Sequence, residues 1–349
     1  MKKEHILIIR FSALGDVAMA VPVVYSLAMT YPHVRITVLS RGFARPFFDD
    51  LAPNVSFMEA DIKGEYRGIK GLNALYRRLV AKKPTAVADF HGVLRSTYLR
   101  MRFNMERFRV EHINKHRSGK RALTSSSDKR MVQQPTSFDN YAEVLARLGY
   151  PVKLQFSSIF GNEGGDLSLL PAAIGKRNEG EQWIGIAPFA AHKGKVYPPE
   201  MMERVIDLIE ENNPHCRIFL FGRGRDESHT FPEWCARHSH CIFVGDHLDT
   251  MRQELVLMSH LDVMVSMDSA NMHMASLTGT PVVSVWGATH PYAGFMGWHQ
   301  SEDNAVQLDL PCRPCSIFGN KPCRRGDFAC MNGIKPEQIY DKINRLLSH

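Results

Sequence analysis

Small polar residues follow several apolar runs of this 349-residue chain, and residues 268–271 are the most informative of them. Their sequence is Asp-Ser-Ala-Asn, between apolar runs at 261–267 and 281–286. This pattern predicts a turn into a short helix that stops at Gly279. The free N–H groups at the start of a helix carry partial positive charge and can bind phosphate. Asp268 is also a good N-cap residue, so a plain capped helix is the competing interpretation.

Three further loops carry ionisable residues after predicted strands. Asp16 lies in a glycine-containing turn, where a carboxylate can act as a general base on a hydroxyl or simply cap a helix. Lys195 can reach a phosphate as a point charge, although a solvated lysine is the simpler interpretation. Glu227 follows a glycine-rich loop and could hold ribose hydroxyls, or be an ordinary surface acid. Because ligands of parallel sheets bind at the carboxyl ends of the strands, the loops of the second half together predict a nucleotide diphosphate site.

The elements that position these residues alternate between short buried strands and helices. Two such series predict an α/β fold made of two doubly wound parallel sheets, with ligands in the cleft between two domains. We predict an N-terminal domain over residues 1–160, a linker region over 161–180, a C-terminal domain over 181–333 and a terminal helix over 334–349. Strands are predicted at 5–10, 35–39, 56–60, 85–90, 183–187, 217–222, 241–245, 261–267 and 281–286, and helices at 71–81, 138–148, 199–211 and 336–347.

Composition favours a water-soluble globular protein. Hydrophobic residues make up 44% and charged residues 23% of the chain, which is far from the composition of disordered proteins. No apolar run approaches the ~20 residues of a membrane helix. The run at 6–9 is too short to be the core of a signal peptide. We therefore expect a cytoplasmic protein.

Positive charge is concentrated in residues 94–130, which hold eleven lysines and arginines and three acids, a net +8 against +7 for the whole chain. Such a field attracts nucleic acid, an acidic membrane surface or a phosphorylated substrate, and a solvated loop without a partner is the alternative. The segment lacks the regularly placed aromatic residues of a base-stacking surface, so nucleic acid is not expected to be the partner.

Four of the seven cysteines are close together in sequence, in a C-x2-C-x7-C-x6-C pattern. Stable disulfides are rare in the cytoplasm, and this spacing is a moderate signal for a tetrahedral thiolate site. A structural zinc ion is the first interpretation, ahead of an iron–sulfur cluster, and reduced cysteines that pack a loop are the alternative. The residues concerned are Cys312, Cys315, Cys323 and Cys330.

The chain resembles the heptosyltransferase family of lipopolysaccharide core assembly, glycosyltransferase family nine. Four stretches carry the resemblance along nearly the whole chain: 8–16 with Pro22, 195–198, 268–273 with Ala275, and 281–291. The resemblance implies a GT-B fold of two Rossmann-like domains that face each other across a cleft. It implies inverting, metal-independent transfer of a heptose, without a cofactor, from a nucleotide-activated donor to a lipopolysaccharide core or lipid A-type acceptor. The donor of the best-known members is ADP-heptose.

The same resemblance assigns roles to individual residues. Asp16 matches the base that deprotonates the acceptor hydroxyl, and Lys195 matches the lysine on the donor phosphate. Glu227 is a looser match to the acid that contacts ribose. The donor site is completed by Asp268, Ser269, Ala270, Asn271 and His273. The anionic acceptor is expected to bind Arg10, Ser12, Arg95, Arg117, Lys120 and Arg121. The family usually has Thr-Gly where this chain has Ser269 and Ala270, a departure that bears on the donor.

Two other functions fit parts of the sequence. One is another GT-B glycosyltransferase, or a nucleotide-sugar epimerase, that has the same donor site and a different sugar. The other is a basic nucleic-acid-binding protein with a zinc-type cysteine cluster. Under the preferred interpretation the partners are ADP-heptose, an anionic glycolipid and, transiently, the inner leaflet of the membrane. The protein would then be peripheral on the cytoplasmic face of the inner membrane.

Overall fold

The computed structural model describes residues 4–348, which form two compact units. The first unit contains residues 4–115 and 135–159, and the second contains residues 116–134 and 160–348. Each unit is built on one parallel sheet. The two sheets confirm the predicted α/β class, because both are doubly wound.

The first unit has a five-stranded sheet in the order β3-β2-β1-β4-β5. Its central strand β1 is buried along its whole length, as expected of a parallel strand covered on both faces. Pro22 stands near the start of α2, where its missing N–H is harmless. The elements are β1 (His5–Ile9), α1 (Leu14–Ala18), α2 (Val21–Thr30), β2 (Arg35–Ser40), β3 (Val55–Glu59), α3 (Gly68–Ala81), β4 (Ala86–Asp89), α4 (Leu94–Met105) and β5 (Arg109–His112), and, after α5 (Arg117–Leu123) of the second unit, α6 (Ser137–Arg147).

The second unit has a six-stranded parallel sheet in the order β11-β10-β9-β6-β7-β8. Its helix α7 buries Met202, Val205, Ile206 and Ile209, the stripe expected from the sequence period. The elements are β6 (Gln182–Ala187), α7 (Pro199–Asn212), β7 (Cys216–Leu220), α8 (Arg225–Arg237), β8 (Cys241–Phe243), α9 (Met251–Met258), β9 (Val263–Met267), α10 (Ala270–Leu277), β10 (Val282–Val285), β11 (Ala305–Val306), α11 (Ala329–Asn332) and α12 (Pro336–Leu347).

Each sheet has one point at which the strand order reverses. In the first unit the chain leaves β1 in one direction toward β2 and later continues from β4 on its other side. In the second unit the corresponding pair is β6 and β9. A crevice opens at such a switch point, outside the carboxyl ends of the two strands, and open α/β sheets bind their ligands there.

The division into units differs from the predicted domains, because the second unit includes the predicted linker region and terminal helix and also one segment of the predicted N-terminal domain. Residues 116–134 were expected in the N-terminal domain but belong to the second unit. The Gln134 N–H donates to the carbonyl of Tyr292 (2.9 Å), and Lys129 donates to the carbonyl of Arg313 (2.8 Å). Long-range hydrogen bonds of this kind leave no local trace in the sequence.

The predicted strands and helices are all present, with ends that differ by a few residues. The basic segment is more ordered than a solvated loop, because it contains α4, β5 and α5. Between residues 4 and 348 no helix has both the length and the apolar character that crossing a bilayer requires.

Candidate active site

Asp16 lies at the switch point of the first unit, in α1 directly after β1. Its Oδ2 atom is 2.7 Å from the Arg10 guanidinium and accepts a hydrogen bond from the Ala13 N–H (3.1 Å). About a third of the side chain is exposed (32%). Asp16 is therefore oriented on one side and accessible on the other, as a base that acts on a bound hydroxyl must be.

Arg10 holds this carboxylate from inside the unit. Its side chain is almost fully buried and also donates to the carbonyl of Phe90 (2.7 Å). The guanidinium lies over the ring of Tyr141 (5.9 Å to the centroid), whose hydroxyl donates to the carbonyl of Asp16 (3.1 Å). Burial raises the pKa of the Tyr141 hydroxyl, with Arg10 acting in the opposite direction, so the phenol stays neutral. Arg10 is thus the buried cation opposite Asp16.

His91 stands beside the same loop, after β4, the strand next to β1. The Phe11 N–H donates to its Nδ1 (3.4 Å), and its Nε2 lies 3.4 Å from the Ser12 hydroxyl. Burial, reinforced by the charges of Arg10 and Lys115, lowers the pKa of His91 to about 3. The ring is therefore neutral near pH 7, and since Nδ1 accepts, Nε2 carries the proton.

His91 was absent from the predicted site residues. Its position at the carboxyl end of a predicted strand was visible in the sequence. The sequence does not show that this strand lies next to β1, so His91 could not be placed beside Asp16.

Lys195 and Asp268 meet at the switch point of the second unit. The Lys195 loop follows β6, and Asp268 follows the adjacent strand β9. The Lys195 ammonium is 2.9 Å from Asp268 Oδ2, and the two side chains are only 16% and 4% exposed. Since an unpaired buried carboxylate would be costly, Lys195 compensates Asp268 while keeping further N–H donors for a ligand.

Helix α10 begins beside this ion pair. Its N-cap residue Ser269 does not cap the helix with its side chain, and the Ser269 hydroxyl instead contacts the Ser266 hydroxyl (3.2 Å). The first-turn residues Ala270 and Asn271 are partly exposed, whereas His273, one turn further on, is buried. The helix thus presents its positive end next to the lysine, an arrangement suited to an anionic group.

Glycines bring three loops close together around Lys195. A Cβ atom on Gly194 would lie 2.8 Å from the Ala288 Cβ, and one on Gly319 would lie 2.5 Å from the Lys195 Cγ. The Ala288 N–H donates to the carbonyl of Gly194 (2.8 Å), which fixes this approach. The stem of Lys195 is therefore positioned by backbone that passes too close for any side chain.

Glu227 lies in the first turn of α8, after β7, the next strand of the sheet beyond β6. Its carboxylate packs on the preceding loop, because a Cβ on Gly224 would be 2.2 Å from Oε2 and one on Gly222 would be 2.9 Å from Oε1. Glu227 therefore joins the same edge of the sheet as Lys195 and Asp268.

The residues predicted to bind the acceptor are divided between the units. Arg10 and Ser12 accompany Asp16, and Arg95 is exposed in the first turn of α4. Three others belong to α5 of the second unit, where the Lys120 ammonium lies over the ring of Phe295 (4.2 Å to the centroid). These three residues are Arg117, Lys120 and Arg121.

Three of the four clustered cysteines, Cys312, Cys315 and Cys330, interact electrostatically with the buried side chain of Arg313. Its guanidinium donates to the carbonyls of Trp286 (3.1 Å) and Thr289 (3.0 Å), so the cysteine loop is tied to the end of β10. Burial raises the pKa of the Cys330 thiol to about 11. For Cys323 burial acts the same way, but the N–H groups of residues 325–328 outweigh it, and the pKa of that thiol is lowered.

A metal site is not preformed at these cysteines. Among residues 4–348, no group of three or more His, Cys, Asp or Glu side chains is arranged to hold a metal ion. The predicted zinc site therefore stays a prediction.

Comparison with known proteins now gives the family. The sequence profile of glycosyltransferase family 9 (heptosyltransferase) matches residues 72–322, which is more than half of the chain. The chain belongs to glycosyltransferase family 9. The matched residues include Lys195 and Asp268 but begin after Asp16.

Two curated relatives show how far the similarity reaches. The lipooligosaccharide heptosyltransferase 2 of Campylobacter jejuni is 29% identical over 85 residues, which is 24% of this chain and only 26% of that protein. The lipopolysaccharide core heptosyltransferase OpsX of Haemophilus influenzae is 22% identical over 292 residues, covering 82% of this chain and 80% of its own.

Solved structures of similar proteins share the fold. A family 9 glycosyltransferase from Veillonella parvula has a TM-score of 0.74 and 18% identity, and covers 100% of this chain and 98% of its own. The Escherichia coli heptosyltransferase WaaC, in a complex with ADP-2-deoxy-2-fluoro heptose, has a TM-score of 0.68 and 15% identity, with 98% and 99% covered. This likeness confirms the predicted GT-B fold, whereas the roles of individual site residues stay predictions.

Proposed function

We propose that this chain is an inverting glycosyltransferase that moves a heptose from ADP-heptose to a hydroxyl of a lipopolysaccharide core or lipid A-type acceptor. The observation that carries the proposal is the Lys195–Asp268 pair beside the start of α10, at a switch point, within the region that matches family 9. The WaaC complex with a fluorinated ADP-heptose supports the choice of donor.

The proposed chemistry of the first unit begins at Asp16. Its carboxylate takes the proton of the acceptor hydroxyl as the oxygen attacks the anomeric carbon of the donor, opposite the diphosphate. Arg10, paired with Asp16 at 2.7 Å, fixes the direction of the carboxylate. The neutral His91 ring can donate from Nε2 to the Ser12 hydroxyl, which turns that hydroxyl toward a substrate oxygen.

The second unit stabilises the leaving group, ADP. As the bond between the anomeric carbon and the diphosphate oxygen of the donor breaks, negative charge grows on the ADP diphosphate. The Lys195 ammonium and the first-turn N–H groups of α10 supply positive charge that is fixed before the reaction begins. Glu227 accepts hydrogen bonds from the ribose hydroxyls at the next strand end, as proposed from the sequence.

The acceptor is proposed to be an anionic glycolipid of a cytoplasm-facing leaflet. Phosphates or acidic sugars on it would bind Arg95, Arg117, Lys120 and Arg121, and the protein would contact the membrane only transiently. Arg10, also expected to bind the acceptor, is buried and paired with Asp16, so its role is to hold that carboxylate. Residues 4–159, without the segment that joins the second unit, form the proposed acceptor-binding domain, and the second unit is the proposed donor-binding domain.

Nucleotide binding tests the donor site. We expect calorimetry to show that ADP and ADP-heptose bind the full chain, whereas UDP, GDP and dTDP bind at least tenfold more weakly. Lys195→Ala should weaken ADP binding about 100-fold, because it removes a charge-assisted contact and leaves Asp268 uncompensated. Lys193→Ala is the matched control, since this exposed lysine belongs to the same turn.

The outcomes separate the competing functions. An equal loss of ADP affinity in the two lysine variants would show that Lys195 does not contact the nucleotide. Tight binding of UDP in place of ADP would keep a nucleotide-sugar enzyme and change the sugar. Binding of RNA or DNA without any nucleotide would end the glycosyltransferase proposal.

We also propose that the four cysteines bind a structural zinc ion, whereas the transfer itself needs no metal. The support is the spacing of the four cysteines and the proximity of Cys312, Cys315 and Cys330 to Arg313. Elemental analysis of the purified chain should find one zinc per molecule, which is lost in Cys323→Ser. A metal-free wild-type protein would leave the cysteines as reduced packing residues.

A further inference from the structure

Helix α4 is apolar on two opposite sides. Its buried side contains Leu99 and Phe103, which are fully inaccessible to solvent. Leu94, Met101 and Met105 are seven and four residues apart, so they share one face that points away from this core. These three side chains are 87%, 48% and 72% exposed. A surface helix normally turns polar residues outward, so this apolar stripe is unusual.

The stripe continues onto the neighbouring helix α3. Tyr98 of α4 donates to the side chain of Asn73 of α3 (2.9 Å), so the two helices touch there. Both helices connect parallel strands and run in the same direction. One turn before this contact stand Leu94 on α4 and Ile69 on α3, and Ile69 is 67% exposed.

We define Ile69, Leu94, Met101 and Met105 as the apolar stripe. They are four of the ten large hydrophobic side chains that are exposed among residues 4–348. From Leu94 to Met105 the stripe extends for ~16 Å along α4, at ~1.5 Å per residue. Concentrated apolar surface of this kind marks an interaction site.

Positive charge surrounds the stripe. Residues 67–107 contain ten lysines and arginines but only two acids, Asp89 and Glu106. Asp89 is fully buried, so Glu106 is the one acid that faces solvent in this range. Exposed cations lie on the outer sides of both helices: Lys70, Arg77 and Arg95. The surface is therefore apolar in its middle and cationic at its borders.

We propose that the apolar stripe and its bordering cations dock the first unit on an anionic lipid bilayer. The flexible leucine and methionine side chains would enter the headgroup region, while Lys70, Arg77 and Arg95 would bind lipid phosphates. The border presents Lys70, Arg77 and Arg95 against the single exposed acid Glu106. Charge complementarity therefore favours an anionic lipid surface over a neutral or cationic protein.

The position of the stripe connects docking with the candidate active site. Leu94 is only three residues after His91, so the stripe begins at the carboxyl edge of the sheet where Asp16 lies. Docking there would bring Asp16 to the surface on which a lipid-anchored acceptor is presented. This part of the inference rests on the proposed function, whereas lipid binding itself does not.

Vesicle flotation tests the inference with the full chain. We expect the wild-type protein to float with vesicles of phosphatidylglycerol and phosphatidylethanolamine, but not with phosphatidylcholine vesicles. The triple variant Leu94→Ser, Met101→Ser, Met105→Ser should need at least tenfold more lipid for half-maximal binding. Lys70→Gln combined with Arg77→Gln should weaken binding as well and reduce its dependence on salt.

The matched control replaces three other exposed apolar residues with serine, Val132, Leu167 and Leu169, and should bind vesicles within twofold of wild type. Because all six side chains are exposed, thermal unfolding of both variants should match that of the wild type. Failure of the wild-type protein to bind acidic vesicles would overturn the inference. Unchanged binding by the stripe variant, or a change in its oligomeric state instead of its lipid binding, would also overturn it.

Transfer assays separate this inference from the proposed function. With a water-soluble, deacylated acceptor, the stripe variant should keep the wild-type rate, whereas with the acceptor embedded in vesicles it should be at least tenfold slower. A wild-type protein that binds acidic vesicles but transfers no sugar to either acceptor would refute the proposed function without contradicting the inference of lipid docking. Equal rates of wild type and variant on embedded acceptor would refute the link between docking and catalysis.

Discussion

The candidate sites of the two units occupy the same topological position but are made of different parts. Asp16 and His91 follow neighbouring strands β1 and β4, and Lys195 and Asp268 follow neighbouring strands β6 and β9. The first site consists of side chains that fix one another, with Arg10 buried beneath them. The second is shaped by backbone, with glycines packed against Lys195 and a helix start beside it.

This difference suggests a division of labour. A proton-transfer site needs groups whose protonation states are set by their surroundings, and burial with paired charges does this. A diphosphate site needs many N–H groups at close range, and backbone without Cβ atoms supplies them. Under the proposed function, the two units use one sheet topology for proton transfer in one case and for anion binding in the other. The predictions below test that contrast.

The largest expected effect follows Asp16→Asn. If the first site performs proton transfer and the second binds the donor, transfer should slow by ~10³-fold while the ADP dissociation constant changes less than twofold. Coupled turnover assays and calorimetry measure the two quantities. Asp49→Asn is the control, since Asp49 forms the exposed ion pair with Arg45 in the same unit (3.7 Å) and should leave both values unchanged. Weakened ADP binding in Asp16→Asn would contradict the assignment of donor binding to the second site alone.

The next effect concerns acid stability and His91. The folded protein keeps this ring uncharged down to about pH 3, whereas the unfolded chain protonates it near pH 6.5. The stability that the neutral His91 ring contributes is complete above pH 6.5 and is lost as the pH falls toward 3. Between pH 7 and 4.5, the free energy of unfolding should fall by about 2.5 kcal/mol more in the wild type than in His91→Gln. Urea titrations at both pH values measure this, and parallel losses would show that His91 is not held neutral.

The smallest effect sharpens the role of backbone in the second site. Gly319 has φ +74°, and a Cβ there would meet the stem of Lys195, whereas Gly326 has φ +81° and no atom within 4 Å of that position. Gly319→Ala should weaken ADP binding about tenfold, as expected from displacing one charge-assisted contact. Gly326→Ala carries the same backbone strain and should change ADP binding less than twofold. Similar calorimetric results for the two variants would mean that the close approach is unimportant for the donor.

Much of the fold could be predicted because buried parallel strands are continuous apolar runs, as in β1 and β9. The segment that contains α4, β5 and α5 was treated as one basic stretch, because charge and outward-facing methionines hide the helical period of α4. Helices α8 and α9 were also missed. Helix α8 contains Pro232, which argues against a helix when only the sequence is considered.

The candidate sites were predictable to different extents. The loops of Lys195 and Asp268 could be assigned to one edge of a sheet, since each follows an apolar run. Their direct ion pair depends on β6 and β9 being neighbours, which requires the order of the sheet. In the first unit, the buried partner of Asp16 is Arg10, a residue whose type normally suggests the surface.

The placement of residues 116–134 in the second unit has a consequence for how such chains can recombine. A single crossover near residue 160 would exchange most of the second unit but leave Lys129 behind, separated from its native carbonyl partner on Arg313. Transfer of the intact second unit, the proposed donor-binding domain, therefore needs a two-part exchange, of residues 116–134 together with 160–348. Chimeras between relatives that differ in acceptor should follow those boundaries, since the module is contiguous in space but not along the gene.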